Sequence, residues 1–87
     1  MAGYRLLIKA SATKELEAVG SKADRQRIVA KIQALAASPR SEGSEKLAGH
    51  ADRYRLRQGS YRIVYLVDDE RREVTIFRIA HRKDVYR

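Results

Sequence analysis

Apolar positions recur with two different periods along this chain, and the change of period divides it in two. In the first half the spacing is helical. Ala12, Leu16 and Val19 fall at i, i+4 and i+7, and Ile28, Ile32 and Leu35 form a second stripe flanked by Val29 and Ala36. Ahead of both, residues 4–8 (YRLLI) are short, apolar and aromatic and predict a strand. Ser11 or Thr13 caps the first helix, and Gly20 ends it. Ser21, with Asp24 three residues on, caps the second helix, which is predicted to run to about residue 37. Pro39 forbids continuation and pushes Ser38 toward an extended conformation. The result is a helical hairpin, followed by a polar loop over residues 38–52 with Leu47 as its apolar anchor.

The second half alternates with period two. Residues 53–57 read Arg, Tyr, Arg, Leu, Arg; residues 58–60 form a turn around Gly59; residues 61–67 are apolar on both sides, as a central strand requires. A turn over residues 68–72 leads to a last strand over residues 74–80. The fold class expected is α+β: an N-terminal strand, a two-helix hairpin and a three-stranded antiparallel sheet, with the helices on one sheet face, all in a single domain over residues 1–87.

Parity then sorts the side chains. A two-residue loop at Gln58-Gly59 places Arg55 opposite Arg62, and a loop one residue later places Arg57 opposite Arg62. In both registers Arg55, Arg57 and Arg62 share one face, while Tyr54, Leu56, Tyr61, Ile63 and Tyr65 share the other. Continued along the last strand, the alternation sends Phe77 and Ile79 to the apolar face and Arg78 to the arginine face, with Arg82 just beyond the strand end. Like charges placed opposite one another destabilise a sheet, so their retention suggests a use.

Composition narrows that use. The chain has 87 residues, no cysteine and a formal charge of +8. A disulfide framework and a thiolate metal site are excluded, and His50 and His81 are too few for a histidine metal site, so neither a metal nor a cofactor is expected. The N-terminal apolar run is too short for a signal sequence or a membrane span, which implies a cytoplasmic protein without a membrane partner. Basic residues also change in kind. Up to His50 there are five lysines and four arginines; from Ala51 onward there are nine arginines and one lysine. Arginine suits planar, bidentate contact with phosphate and stacking on bases, so nucleic acid is the leading anionic partner.

The motifs KLAG (residues 46–49), YRLR (54–57), YRIVY (61–65) and HRKDVY (81–86), in this order and after Ser38-Pro39-Arg40, resemble those of the RelE/ParE superfamily of type II toxins. The resemblance covers nearly the whole chain and implies a RelE-like, microbial RNase-like fold. In the RelE branch it implies a toxin that cleaves messenger RNA in the ribosomal A site and is neutralised by a cognate antitoxin in a hetero-oligomeric complex. Motif by motif, Arg55 and Arg57 match the basic pair of the second strand, Arg62 the arginine of the next strand, Arg82 the arginine after the last strand, and Tyr86 the C-terminal tyrosine. Arg62, Arg82, Tyr86 and His81 are the candidate catalytic residues, and Arg55, Arg57, Arg78 and Lys83 the candidate RNA-binding ones.

Cleavage by attack of the 2′-hydroxyl on the adjacent phosphate needs a base, cations for the phosphorane charge and an acid for the leaving 5′-oxygen, and yields a 2′,3′-cyclic phosphate and a 5′-hydroxyl. In the best-known RelE-type enzymes the second-strand pair is lysine. Here both are arginine, which does not deprotonate in proteins, so either another group is the base, with His81 the obvious titratable neighbour and Lys83 and Tyr86 the others, or the role of the base is diluted into electrostatics. Tyr86 stacks on a base or orients the 2′-hydroxyl in this reading, and Asp84 serves as a structural partner for a nearby arginine. Two alternatives remain. One is a ParE-like inhibitor of DNA gyrase acting by protein contact, and the other is an RNA-binding module without activity.

Overall fold

The structure, a computed structural model, describes residues 3–49 and 52–84. Strand β1 (Arg5–Ile8) is followed by helices α1 (Ala10–Glu17) and α2 (Lys22–Ala34), then by strands β2 (Ser44–Lys46), β3 (Arg53–Gln58), β4 (Tyr61–Asp68) and β5 (Glu73–His81). All five strands form one sheet in the order β1-β5-β4-β3-β2. The β2–β3, β3–β4 and β4–β5 pairs are antiparallel, whereas β1 runs parallel to β5, with Leu6 opposite Val74 and Ile8 opposite Ile76. The α+β class holds, and the sheet is larger than the three antiparallel strands expected from pattern. The extra members are β1, which needs a long crossover to reach β5, and the short β2, which lies inside the stretch read as loop.

Helix α2 follows its sequence signals at the start. The Ser21 hydroxyl accepts from the Asp24 N–H at 3.2 Å. It ends earlier than expected, because residues 35–37 tighten into a turn before Pro39. Helix α1 departs further. It begins after Lys9 with no side-chain cap, and the Thr13 hydroxyl instead donates back to the Lys9 carbonyl at 3.3 Å. Arg25 closes the connection by donating to the Val19 carbonyl at 2.5 Å.

The core lies between the helices and one sheet face. Ala12, Val19, Ile28, Ile32 and Leu35 meet Leu56, Ile63, Tyr65, Val67, Val74, Ile76 and Ile79. Helix α1 packs on β5 and α2 on β3. Tyr65 is fully buried, and its hydroxyl donates to the Pro39 carbonyl at 2.7 Å, so the loop after α2 is pinned through the core. Among the described residues no helix is long and apolar enough to cross a membrane.

One β-bulge reorganises β5. Ile63 faces Ile79 and Val64 faces Arg78, but Tyr65 faces Ile76, so Phe77 is the unpaired extra residue. On its far side the core-facing positions change from odd to even, and Val74 and Ile76 are completely buried. The expected inward position of Phe77 is therefore corrected. Unbroken alternation would carry it to the helices, whereas the bulge leaves it half-buried and turned toward the opposite face.

Candidate nucleic-acid interface

The arginine-bearing face is built by the β3–β4 hairpin. Gly59, at φ 58°, and Ser60 form its turn, and Arg57 pairs directly with Arg62. The conformation at Gly59 is one that glycine adopts without steric cost. Of the two registers parity allowed, this is the later one. Arg53 and Arg55 continue the face along β3, opposite Leu66 and Val64. Arg62 is fixed by its own turn, its guanidinium donating to the Gly59 carbonyl at 3.2 Å and the Tyr61 carbonyl at 3.0 Å. Arg82 is drawn to the same place by its backbone, whose N–H donates to the Ser60 carbonyl at 2.7 Å. The end of β5 thus docks on the hairpin turn.

Electrostatics ties the four together. The Arg62 guanidinium is held below its ordinary pKa, first by burial and then by the positive charges of Arg57, Arg55 and Arg82, with Glu45 opposing. It stays charged at any physiological pH. Glu45, on β2, pairs with Arg55 at 3.2 Å and borders the cluster on that side. Among the described residues Arg57, Arg62 and Arg82 stand in no ion pair. Such a surface has donors ready for the nonbridging oxygens of a phosphate, and the local repulsion is relieved when an anion arrives.

The other candidates separate from this group. His81 is opposite Tyr61, whose row faces the helices, and the two rings meet edge to face at 5.6 Å. The His81 Nδ1 accepts from the Lys83 N–H at 3.2 Å. His81 therefore lies beside a cleft against α1, lined also by Glu15, Ala18 and Val19, on the opposite side of the sheet from the arginines. Arg78 is cross-strand from Val64, but its guanidinium turns to α1. Its Nε lies 3.7 Å from Glu15, and a terminal N–H donates to the Asp84 carbonyl at 2.9 Å. Glu15 also accepts the Ile79 N–H at 2.9 Å, so Glu15 and Arg78 together fasten α1 to the bulged strand. Lys83 is exposed immediately after Arg82, and Tyr86 and His50 lie outside the described residues. Among the described residues no group of three or more histidine, aspartate or glutamate side chains could hold a metal.

Three residues near the site were missed in the sequence. Arg53 shares the parity of Arg55 and Arg57 and was legible on that ground alone. Glu45 depends on the unforeseen β2 strand, and Phe77 on the bulge, which leaves no local mark in the sequence.

The comparisons with known proteins agree on this architecture. The family model described as ParE toxin of type II toxin-antitoxin system, parDE, matches residues 6–86. Toxin RelG of Mycobacterium tuberculosis is 46% identical over 37 residues, a match spanning 42% of this chain and 42% of RelG. The free E. coli toxin RelE, solved as a double arginine-to-alanine mutant, superposes with a TM-score of 0.80 at 31% identity, over 99% of this chain and 90% of that one. The archaeal RelE–RelB complex from Pyrococcus horikoshii OT3 gives 0.81 at 27% identity, over 95% of this chain and 99% of that one. With a family model matched from residue 6 to residue 86 and a RelE likeness sustained across the fold, the chain belongs to the RelE/ParE superfamily, the toxins of type II toxin–antitoxin systems.

Proposed function

We propose that this toxin is a ribosome-dependent endoribonuclease that cuts messenger RNA in the A site, without requiring a metal. The observation that carries the reading is the mutual proximity of Arg55, Arg57, Arg62 and Arg82 on one sheet face, felt in the depressed pKa of Arg62. In the reaction the 2′-hydroxyl gives its proton to a base and its oxygen bonds to phosphorus. The P–O5′ bond then breaks, and the 5′-oxygen takes a proton from an acid. Arg62 and Arg82 hold the phosphorane oxygens, where charge develops, and Arg55 and Arg57 orient the strand. No guanidinium serves as base. With His81 turned toward the helices, Lys83 and Tyr86 are left as the proton-transfer groups. The archaeal relative was solved as a RelE–RelB complex; in the present reading a cognate antitoxin neutralises this toxin by covering its basic face.

The parDE description of the matching family model favours a second reading, inhibition of DNA gyrase by protein contact. One experiment separates them. After induced expression, primer extension on translated messages is expected to show cuts within codons, and cuts should appear on programmed ribosomes with purified toxin. Intact messages together with inhibited supercoiling would assign the gyrase reading instead.

A further inference from the structure

Phe77 has no place in the core, and the bulge gives its ring an unusual setting. The Lys9 Nζ lies 4.4 Å from the ring centroid and the Arg53 guanidinium carbon 4.6 Å from it. Three strands meet there. Phe77 comes from the bulge of β5. Lys9 follows the end of β1, with its N–H held by the Ile76 carbonyl at 3.0 Å. Arg53 opens β3 opposite Leu66. Leu7, opposite Thr75 on the same face, is exposed beside them. Neither Lys9 nor Arg53 is in an ion pair among the described residues. Arg53 and Arg57 are four residues apart on one strand, about 13 Å, so this spot is continuous with the arginine cluster without belonging to it.

A half-exposed aromatic ring flanked by unpaired cations suits an unpaired nucleotide. The ring takes the π-face of the base, and the cations take the phosphate beside it. We propose that Phe77, Lys9 and Arg53 form a second nucleotide subsite for single-stranded RNA, one that stacks a base lying beyond the phosphate gripped by Arg57, Arg62 and Arg82. The inference rests on the reading of the arginine face as an RNA site. In the free protein the two cations rest against the ring, which keeps it covered and keeps them close to where a phosphate arrives. Binding exchanges cation–ring contacts for base–ring and cation–phosphate contacts. The competing account makes Lys9 and Arg53 simple covers for an exposed phenyl ring, and it predicts no effect of the ring on RNA binding.

The test uses two uncleavable 2′-O-methyl RNAs, a trinucleotide that the arginine cluster alone can hold and a longer oligomer that reaches Phe77. Phe77→Leu is expected to weaken the longer oligomer about tenfold and to leave the trinucleotide unchanged. Phe77→Trp, in a chain that has no tryptophan of its own, is expected to retain tight binding and to show indole emission quenched by the longer oligomer only. This second variant keeps the test decisive if thermal melting shows that the leucine variant misfolds. Equal affinity of wild type and Phe77→Leu for the longer oligomer, or indole emission unchanged at saturation, overturns the subsite while leaving the arginine face intact. Failure of the wild type to bind either RNA, both free and presented in the A site of a ribosome, overturns the RNA reading itself, and the subsite with it.

Discussion

Two arginines of this fold sit in opposite electrostatic surroundings. Arg40, after α2, donates to both carboxylate oxygens of Asp69, at 3.1 and 2.7 Å, and through Nε to the Tyr54 hydroxyl at 2.8 Å. The Tyr4 hydroxyl adds a bond to Asp69 at 2.6 Å, and the Arg40 guanidinium lies 5.4 Å from the Tyr54 ring centroid. The hydrogen bonds to Asp69 and then Tyr54 raise the proton affinity of Arg40 above that of an ordinary guanidinium. Arg62 shows the reverse shift, produced by burial and by its own kind. The same side chain therefore ties a loop to the sheet in one place and holds an unneutralised charge in the other. Arginine count alone does not mark a site. What marks one is a set of arginines left without carboxylates by a fold that supplies them elsewhere.

The comparison is most sharply broken by Arg62→Ala. Cleavage on programmed ribosomes is expected to fall about 10²–10³-fold, the scale of losing one donor to a developing oxyanion. Thermal melting should show little change in Tm, because relief of the repulsion from Arg55, Arg57 and Arg82 offsets the loss of the hydrogen bonds to the Gly59 and Tyr61 carbonyls. A variant that melts lower and still cleaves at the wild-type rate would reverse the assignment. Arg82→Ala should behave alike, with its backbone bond to Ser60 preserved.

Tyr65→Phe tests the structural pole through the core. It leaves the buried Pro39 carbonyl without its donor, and unfolding in urea should show a loss of about 1–3 kcal/mol at an unchanged m value. Cleavage per folded molecule should be retained.

Asp69→Asn tests the same corner by pH. Arg40, then Tyr4, depresses the Asp69 pKa, so its contribution to stability is present above the unfolded aspartate value of about 3.9 and is lost as pH falls through the lower folded value. The variant should melt lower than wild type at neutral pH, and the gap should close in acid below that range. A constant gap across pH would remove the carboxylate as its cause. The smallest expected effect belongs to Arg57→Ala. It should reduce the salt slope of single-stranded RNA binding by about 0.7, as the loss of one phosphate contact does, without abolishing binding.

Much of this arrangement was legible in the sequence because strand alternation is rigid arithmetic. Once Gly59 marked the turn, Arg55, Arg57 and Arg62 had to share a face in either register, and Leu56 and Ile63 had to share the other. The α2 stripe of Ile28, Ile32 and Leu35 was equally plain, and all three are buried. What escaped depended on partners distant in the chain. The three residues of β2 carry no periodic signal of their own and are a strand only because β3 accepts them. The parallel place of β1 is set by packing against β5 and by the bond from the Tyr4 N–H to the Ala36 carbonyl at 2.8 Å. His81 was grouped with Arg82 by nearness in sequence, yet neighbours at a strand end point to opposite sides of a sheet.

The bulge carries a further consequence, for insertions and deletions. Because Phe77 is the residue that the ladder skips, removing it would leave Ile76 opposite Tyr65 and Arg78 opposite Val64, with every face preserved. Removing an interior residue of β4 away from the bulge would instead turn the side chains beyond it over, carrying arginines inward and isoleucines into water. The bulge at Phe77 is thus a place within the paired strands where chain length can drift by a residue without scrambling the surface. A chain in which that position is filled by a large aromatic ring has kept something its hydrogen-bonded framework does not require.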